Sequence, residues 1–260
     1  MTSGPQLIHS RENALFKDLR RLAHEGNAYR KQGRVWLEGD HLCRAALQRG
    51  LQPALAVFAQ SCWDRVHAQW EALPARIVLL PDALMHALAS LESPAPMAFV
   101  LELPPTPALE PTMPSVVLDR LQDPGNVGSI LRCAAAFGFR QVIALKGTAA
   151  LWSPKVLRAG MGAHFALRLL EAQEPAVLDG LQVPLLATSS HQGEWLHRAQ
   201  LPWPCAWLLG HEGQGVAPAL LQRAGRLLRI AQPGGEESLN VAAAAAICLH
   251  ASAVAQAPTP

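Results

Sequence analysis

The sequence predicts an α/β fold, with a small mixed domain followed by a larger one built on a parallel sheet. Three observations carry this. From residue 115 onward short apolar runs alternate with helix-forming stretches, the pattern of strands joined by helical crossovers, with the sheet covered on both faces. Before residue 104 helices and short strands also alternate, less regularly. Between the halves, residues 104–114 (PPTPALEPTMP) place five prolines in eleven positions, which neither a helix interior nor a central strand tolerates. The expected boundaries are a first domain over 1–103, a semi-rigid linker over 104–114 and a second domain over 115–257.

Residues 13–24 put Leu15, Phe16, Leu19 and Leu22 at helical spacing, with Lys17, Asp18, Arg20 and Arg21 between them and Ser10 or Asn13 available as a cap. Residues 40–47 read as a second helix, and 54–59, 76–80 and 97–103 as short strands. In the second half, 115–118 (SVVL) is a buried strand, followed by a turn, a helix over 128–137 and a strand over 141–145 (QVIAL). Pro154 opens a helix over 154–160, a position where its missing N–H costs nothing. Strands follow at 185–188, 205–209 and 227–230, then an alanine-rich helix over 241–255. Residues 257–260 are expected to fray.

At 260 residues the chain is long enough to bury a core without disulfides or a structural metal. Cys43, Cys62, Cys133, Cys205 and Cys248 lie far apart and form no CxxC pair, which speaks for free thiols in a reducing cytoplasm and against a zinc knuckle or thioredoxin site. The first residues lack a signal-peptide apolar core, and no apolar run reaches the ~18 residues of a membrane span. The net charge of +2 is unevenly spread: residues 1–50 hold 9 Lys+Arg against 5 Asp+Glu. From 124 to 170 six basic residues (Arg132, Arg140, Lys146, Lys155, Arg158, Arg168) stand without an acid. Such a stretch suits a polyanion, or is a solvated face that lacks acids.

Three segments share one layout, a short strand, a loop rich in glycine and polar residues, then a helix: 118–139 (LDRLQDPGNVGSILRCAAAFGF), 208–221 (LLGHEGQGVAPALL) and 230–251 (IAQPGGEESLNVAAAAAICLHA). Ligands of open α/β sheets bind at the carboxyl ends of strands, where such loops converge. Gly210, Gly213 and Gly215 form GxxGxG, not the dinucleotide GxGxxG; Val216 stands where a P-loop needs lysine; and Gly215 breaks an HExxH reading of His211-Glu212. A dinucleotide dehydrogenase, an NTPase and a zincin are therefore disfavoured.

The runs QDPGNVGSILRCAAAFG, LLGHEGQGV and ESLNVAAAAAICL resemble, in order and separation, the three signatures of the SpoU (TrmH) family of RNA methyltransferases. Residues 10–47 also resemble that family's accessory substrate-binding domain. The resemblance implies a SPOUT catalytic domain whose C-terminal segment is threaded into a deep trefoil knot, an exception to the rule that chains do not thread. It implies S-adenosylmethionine as cofactor, a homodimer, no metal, and methyl transfer to a ribose 2′-hydroxyl of structured RNA. The long N-terminal extension favours ribosomal RNA over tRNA. The alternative is a non-catalytic RNA-binding protein that keeps the fold.

By the same resemblance the cofactor is held by Thr188, Leu209, Gly210, Gly213, Ile230, Gln232 and Leu239, and the catalytic ring is Asn126, Arg132, Glu212, Ser238 and Asn240. Each residue also has a plainer reading. The glycines serve a turn; Ile230 and Leu239 serve any core; Asn126, Ser238 and Asn240 serve as turn residues or helix caps; Glu212 is a surface charge and Arg132 a solvated helix arginine. An arginine is an awkward base, since guanidinium stays protonated above pH ~12, so Arg132 acts either as base or as a clamp on the neighbouring phosphate. The sequence departs from the family at two places: Ala231-Gln232 replaces the usual Pro-Met, with proline arriving at Pro233, and Gly160 stands where a serine is common.

Overall fold

The computed structural model describes residues 4–89, 94–189, 192–234 and 238–256; residues 257–260, expected to fray, lie outside them. The chain divides into two compact units. One runs to Pro105 and takes in Trp152–Phe165; the other comprises Thr106–Leu151 and the chain from Ala166 onward.

The first unit contains β1 (Gln6–Leu7), α1 (Ala14–His24), α2 (Ala28–Gln32), β2 (Arg34–Glu38), α3 (Asp40–Gln48), β3 (Leu55–Ala59), α4 (Gln60–Trp70), β4 (Arg76–Leu80), α5 (Asp82–Leu88) and β5 (Met97–Glu102). Its sheet runs β1-β4-β3-β5-β2, with β5 antiparallel to both neighbours. The Asn13 side chain accepts from Leu15 N and Phe16 N and caps α1, which buries Phe16, Leu19, Leu22 and Ala23. Strand β2 and helices α4 and α5 were not read from the sequence. In β2 Val35, Trp36 and Leu37 are buried consecutively, and an unbroken apolar run carries no periodicity to tell strand from helix.

The second unit contains β6 (Ser115–Leu118), α6 (Pro124–Ala136), β7 (Gln141–Leu145), β8 (Arg168–Gln173), β9 (Leu185–Thr188), β10 (Glu194–Trp195), β11 (Ala206–Leu209), α8 (Pro218–Leu221), β12 (Arg226–Arg229) and α9 (Val241–Val254). Its seven strands run β10-β12-β9-β11-β6-β7-β8, every pair parallel. Val117, Ile143, Leu170, Ala187 and Leu208 form one side of a core closed by Leu178, Val216 and Leu220; α6 and α9 pack together, with α9 against β11. Strands β6, β7 and β11 are buried at every residue, which explains why they read as short apolar runs.

Two segments depart from the expected layout. Helix α7 (Pro154–Gly160), which follows β7 in the chain, belongs to the first unit, where it packs against β2 and α1. From Thr106 on, the proline-rich stretch belongs to the second unit. Glu110 N–H donates to Gln141 Oε1 (2.8 Å), Gln182 N–H donates to Pro111 O (2.9 Å), and Leu109 packs on the core. No described helix is long and apolar enough to cross a membrane.

Candidate active site

Strands β12, β9, β11 and β6 end at one edge of the sheet. Leu209 pairs with Leu118, Leu208 with Ala187 and Leu228 with Thr188. The ladder continues one step beyond, from Asp119 N–H to Leu209 O (2.8 Å) and from Ser189 N–H to Leu228 O (3.0 Å). The chain thus leaves the sheet side by side at Ile230, Ser189, Gly210 and Asp119. Of the residues singled out for the cofactor, Thr188, Leu209, Gly210 and Ile230 are brought to these adjoining strand ends, where open α/β sheets take ligands.

The loop after β11 closes on itself. His211 and Gly215 exchange backbone hydrogen bonds (3.0 and 2.8 Å), with Gly215 at φ +68°. The His211 Nδ1 accepts from Gly213 N–H (3.0 Å) and Gln214 N–H (3.3 Å). A Cβ on Gly210 would fall 2.1 Å from Val216 N and 2.2 Å from Gly215 C. Glycine at 210 is therefore required by the loop's own crossing, whatever binds beside it.

The Glu212 carboxylate reaches from this loop to the one after β6. Its Oε2 accepts Gln122 N–H (3.1 Å), and its Oε1 accepts Asp123 N–H (3.0 Å) and Asn126 Nδ2–H (3.2 Å). Partial burial acts to raise its pKa, but the N–H groups of Gln122, Asp123 and Glu212 itself, with the Asn126 amide, hold it below the ordinary carboxylate value. Asn126 Oδ1 in turn accepts Asn240 Nδ2–H (3.0 Å), while Asn240 Oδ1 caps α9 through Ala242 N–H (2.9 Å) and Ala243 N–H (3.2 Å). Asn240 thus caps α9 and reaches Asn126 at the same time. Asn126 is not a helix cap: Asp123 is, accepting Asn126 N–H at 2.7 Å.

Asn126, Glu212 and Asn240 therefore form one hydrogen-bonded chain across the three motifs. Arg132 and Ser238 are not part of it. Arg132 is exposed on α6 and makes no hydrogen bond or ion pair with a described residue. It lies ~9 Å further along the helix and ~240° round it from Asn126. Ser238, Leu239 and Gly213 are exposed. Gln232 is half-buried and its Oε1 is buried without a hydrogen-bond partner among the described residues. Residues 235–237 of the third motif lie outside the described residues.

The departure at Gly160 has a packing reason. A Cβ there would sit 2.5 Å from His164 Cε1. His164 is buried, its ring 5.4 Å from that of Trp152, and it fills the space a serine side chain would need.

Comparison with known proteins gives the family. The model of the SpoU rRNA Methylase family matches residues 113–250. The chain belongs to the SpoU family. It is 31% identical to the 23S rRNA (guanosine(2553)-2′-O)-methyltransferase RlmP of Bacillus subtilis, over 94% of this chain and 97% of that one. Among solved structures, an RNA 2′-O ribose methyltransferase is 31% identical with a TM-score of 0.81, covering 96% of this chain and 99% of that one. The AdoMet-bound rRNA methyltransferase of Sinorhizobium meliloti is 25% identical with a TM-score of 0.85, over 98% and 100%.

Other polar residues of this SpoU site escaped the sequence reading. Asp119, Gln122, Asp123 and His211 all lie within the quoted motifs. Asp119 is 2% exposed, and its Oδ2 accepts Ala217 N–H at 2.8 Å. Its signal was a carboxylate directly after the apolar run SVVL, a place where an unpaired charge would be costly.

Proposed function

We propose that this chain transfers a methyl group from S-adenosylmethionine to a ribose 2′-oxygen of RNA, with ribosomal RNA favoured. The observation that carries this is the chain Asn240–Asn126–Glu212, which ties the three SpoU motifs at the carboxyl ends of adjoining parallel strands. The site suits the cofactor. Backbone groups at Leu209, Gly210 and Ile230 offer donors and acceptors for an adenine edge, and aliphatic neighbours offer its face a wall. The unpartnered Gln232 Oε1 is an acceptor in want of a donor.

The cofactor supplies a methyl group on a sulfonium, open to in-line attack; the 2′-hydroxyl must give up its proton. Glu212 is poorly suited to take it, because three N–H donors already hold its carboxylate in the charged form. Its work is to fix Asn126 and the loop around it. Arg132, a guanidinium with no ion pair among the described residues, is suited to hold the phosphate beside the target ribose and bring the hydroxyl to attack geometry.

The same reading includes a homodimer through α9. That helix is apolar nearly all round, the mark of a buried helix, yet Ile247 is 41% and Val254 55% exposed. Beside it a groove of about 780 Å³ is lined by Phe137, Leu196, Ile230 and Ile247 among others. A second copy would cover this face. The reading also includes the trefoil knot. The chain visits β9, β10, β11 and β12 in that order while the sheet orders them β10-β12-β9-β11, which supports a threaded C-terminal segment. In the first unit, the exposed Arg20, Arg21 and Lys31 give RNA phosphates a basic face.

The test is a comparison of 2′-O-methyl maps of ribosomal RNA and tRNA from strains with and without the gene. One missing ribosomal methyl is expected. Unchanged maps, with S-adenosylmethionine still bound by the purified protein, would favour a binding module.

A further inference from the structure

Arg120 has no part in the ring of Asn126, Glu212 and Asn240, yet it is held with unusual force. Its φ is +58°, in the left-handed region that disfavours every residue with a Cβ. Its guanidinium grips the preceding side chain at both oxygens: Nε donates to Asp119 Oδ1 (2.8 Å) and Nη2 to Asp119 Oδ2 (3.1 Å). Its remaining arm, Nη1, donates to Gln214 Oε1 (3.2 Å) in the loop after β11. Asp119 Oδ2 also accepts Ala217 N–H at the far end of that loop (2.8 Å). Below the turn, Gly147 leaves room for the arginine stem: a Cβ there would lie 3.1 Å from Arg120 Cγ.

We propose that Asp119 and Arg120 are positioning residues, a latch that fixes the Glu212 loop at Gln214 and Ala217 and so keeps Glu212 on its three donors. The inference rests on the ring assignment above and deepens it. The loop's near end is fixed by the sheet at Leu209. Its far end has the latch. Glu212 sits between, and without the latch nothing else described ties the Gln214 side chain to the first motif. Stability alone gives a poor reason for the arrangement. Pairing the Asp119 carboxylate, whose side chain is 3% exposed, accounts for the two contacts to Asp119, but not for the third arm on Gln214 or for a φ that glycine would adopt without strain. Strain kept at a site is a sign that position matters there more than stability.

Arg120→Gly and Gln214→Ala separate the two. The first relaxes the backbone and removes the latch but leaves the Asp119 carboxylate with Ala217 N–H alone; the second frees the loop while Asp119 stays paired. The assay is single-turnover methyl transfer at saturating S-adenosylmethionine, using total ribosomal RNA from a strain lacking the gene, at a temperature where each variant is fully folded, with thermal melting alongside. Expected for Arg120→Gly is a rate lower by ~10-fold with a lowered melting temperature, for Gln214→Ala a lowered rate with an unchanged melting temperature, and for Arg120→Lys, which keeps one contact to Asp119, a partial recovery of the rate. A parental rate in Arg120→Gly or in Gln214→Ala overturns the latch. Glu212→Ala run in parallel distinguishes the two levels. If it too transfers at the parental rate, the ring assignment fails; if it is slow while Arg120→Gly is parental, the ring stands and the latch alone falls.

Discussion

In the five-stranded sheet unit the ion pairs Lys17–Glu12, Arg21–Asp18, Arg34–Glu102 and Arg44–Asp40 all lie on the surface, each partner about half exposed or more. The seven-stranded unit has surface pairs of the same kind, Lys146–Glu174, Arg223–Asp179 and Arg226–Glu194, but at its strand ends the Asp119 carboxylate is nearly out of solvent and is met by a bidentate arginine and a backbone N–H. Surface pairs contribute little to stability and remain free to exchange for a ligand's charges. A buried carboxylate must be fully paired, and that fixes geometry. The difference divides the labour: the first unit offers replaceable charge, suited to a polyanion, while the strand ends of the second add fixed polar groups, suited to aligning reacting atoms.

Arg132 is the strongest test of that division, because among the described residues it is an unpaired charge in the unit that holds the fixed groups. Arg132→Ala and Arg132→Lys are both expected to lower single-turnover methyl transfer by ~10²-fold or more, since a point charge lacks the planar fork. Cofactor affinity, measured by calorimetry, should stay within a few-fold. Near-parental rates in Arg132→Ala would remove it from the mechanism, and an equal collapse of cofactor binding would make its role structural.

Gly210→Val sharpens the fixed side further. With a Cβ position 2.1 Å from Val216 N, valine cannot be accommodated by side-chain shifts, and the crossing at His211–Gly215 must open. S-adenosylmethionine affinity should fall at least ~10-fold, or ~1.4 kcal/mol. Retained affinity in a folded variant would separate the loop from the cofactor site.

What the sequence made legible follows the same line. Residues 115–118, 141–145 and 185–188 were read with the bounds they have, because short apolar runs between turn signals are what a buried parallel sheet requires. Asn126, Glu212 and Asn240 were legible as a set through the motifs. Asp123 as the cap of α6 was not, since Asp123 and Asn126 are both capping types and only geometry chooses between them. Strand β8 (RLLEAQ) was missed because it carries Glu171, a charge whose Oε1 accepts Leu151 N–H at 2.5 Å. The allegiance of α7 to the first unit was hidden for a different reason: order along the chain says nothing about which core receives Val156 and Leu157, both fully buried.

That allegiance decides how the exchangeable side should be tested. Deleting residues 1–104 would strip α7 of its packing and uncover Val156 and Leu157, so loss of RNA binding in such a truncation would be ambiguous. Reversing Arg20, Arg21 and Lys31 to glutamate leaves the cores intact, all three being exposed. Affinity for ribosomal RNA at moderate salt should fall several-fold, and the slope of log affinity against log salt should flatten by ~0.9 per lost phosphate contact. An unchanged slope would place the RNA-binding charge elsewhere.

The smallest effect expected is on stability, and it comes from Glu212. Its folded-state pKa lies below the unfolded value, held down by N–H donors against the opposing effect of burial. A depressed carboxylate contributes stability that is present above the unfolded pKa, ~4.3 for glutamate, and is lost as pH falls through the folded value. The side chain is exposed, so solvent screening keeps the contribution modest. Glu212→Gln keeps an oxygen to accept one or two of the three N–H bonds but carries no charge to titrate. Urea unfolding at pH 7 should therefore place the parent slightly above Glu212→Gln in stability, and the gap should close as pH is lowered through the acid range. A gap that persists unchanged at pH 3 would mean that Glu212 is held by shape and not by charge, and would put its loop among the exchangeable features of the molecule.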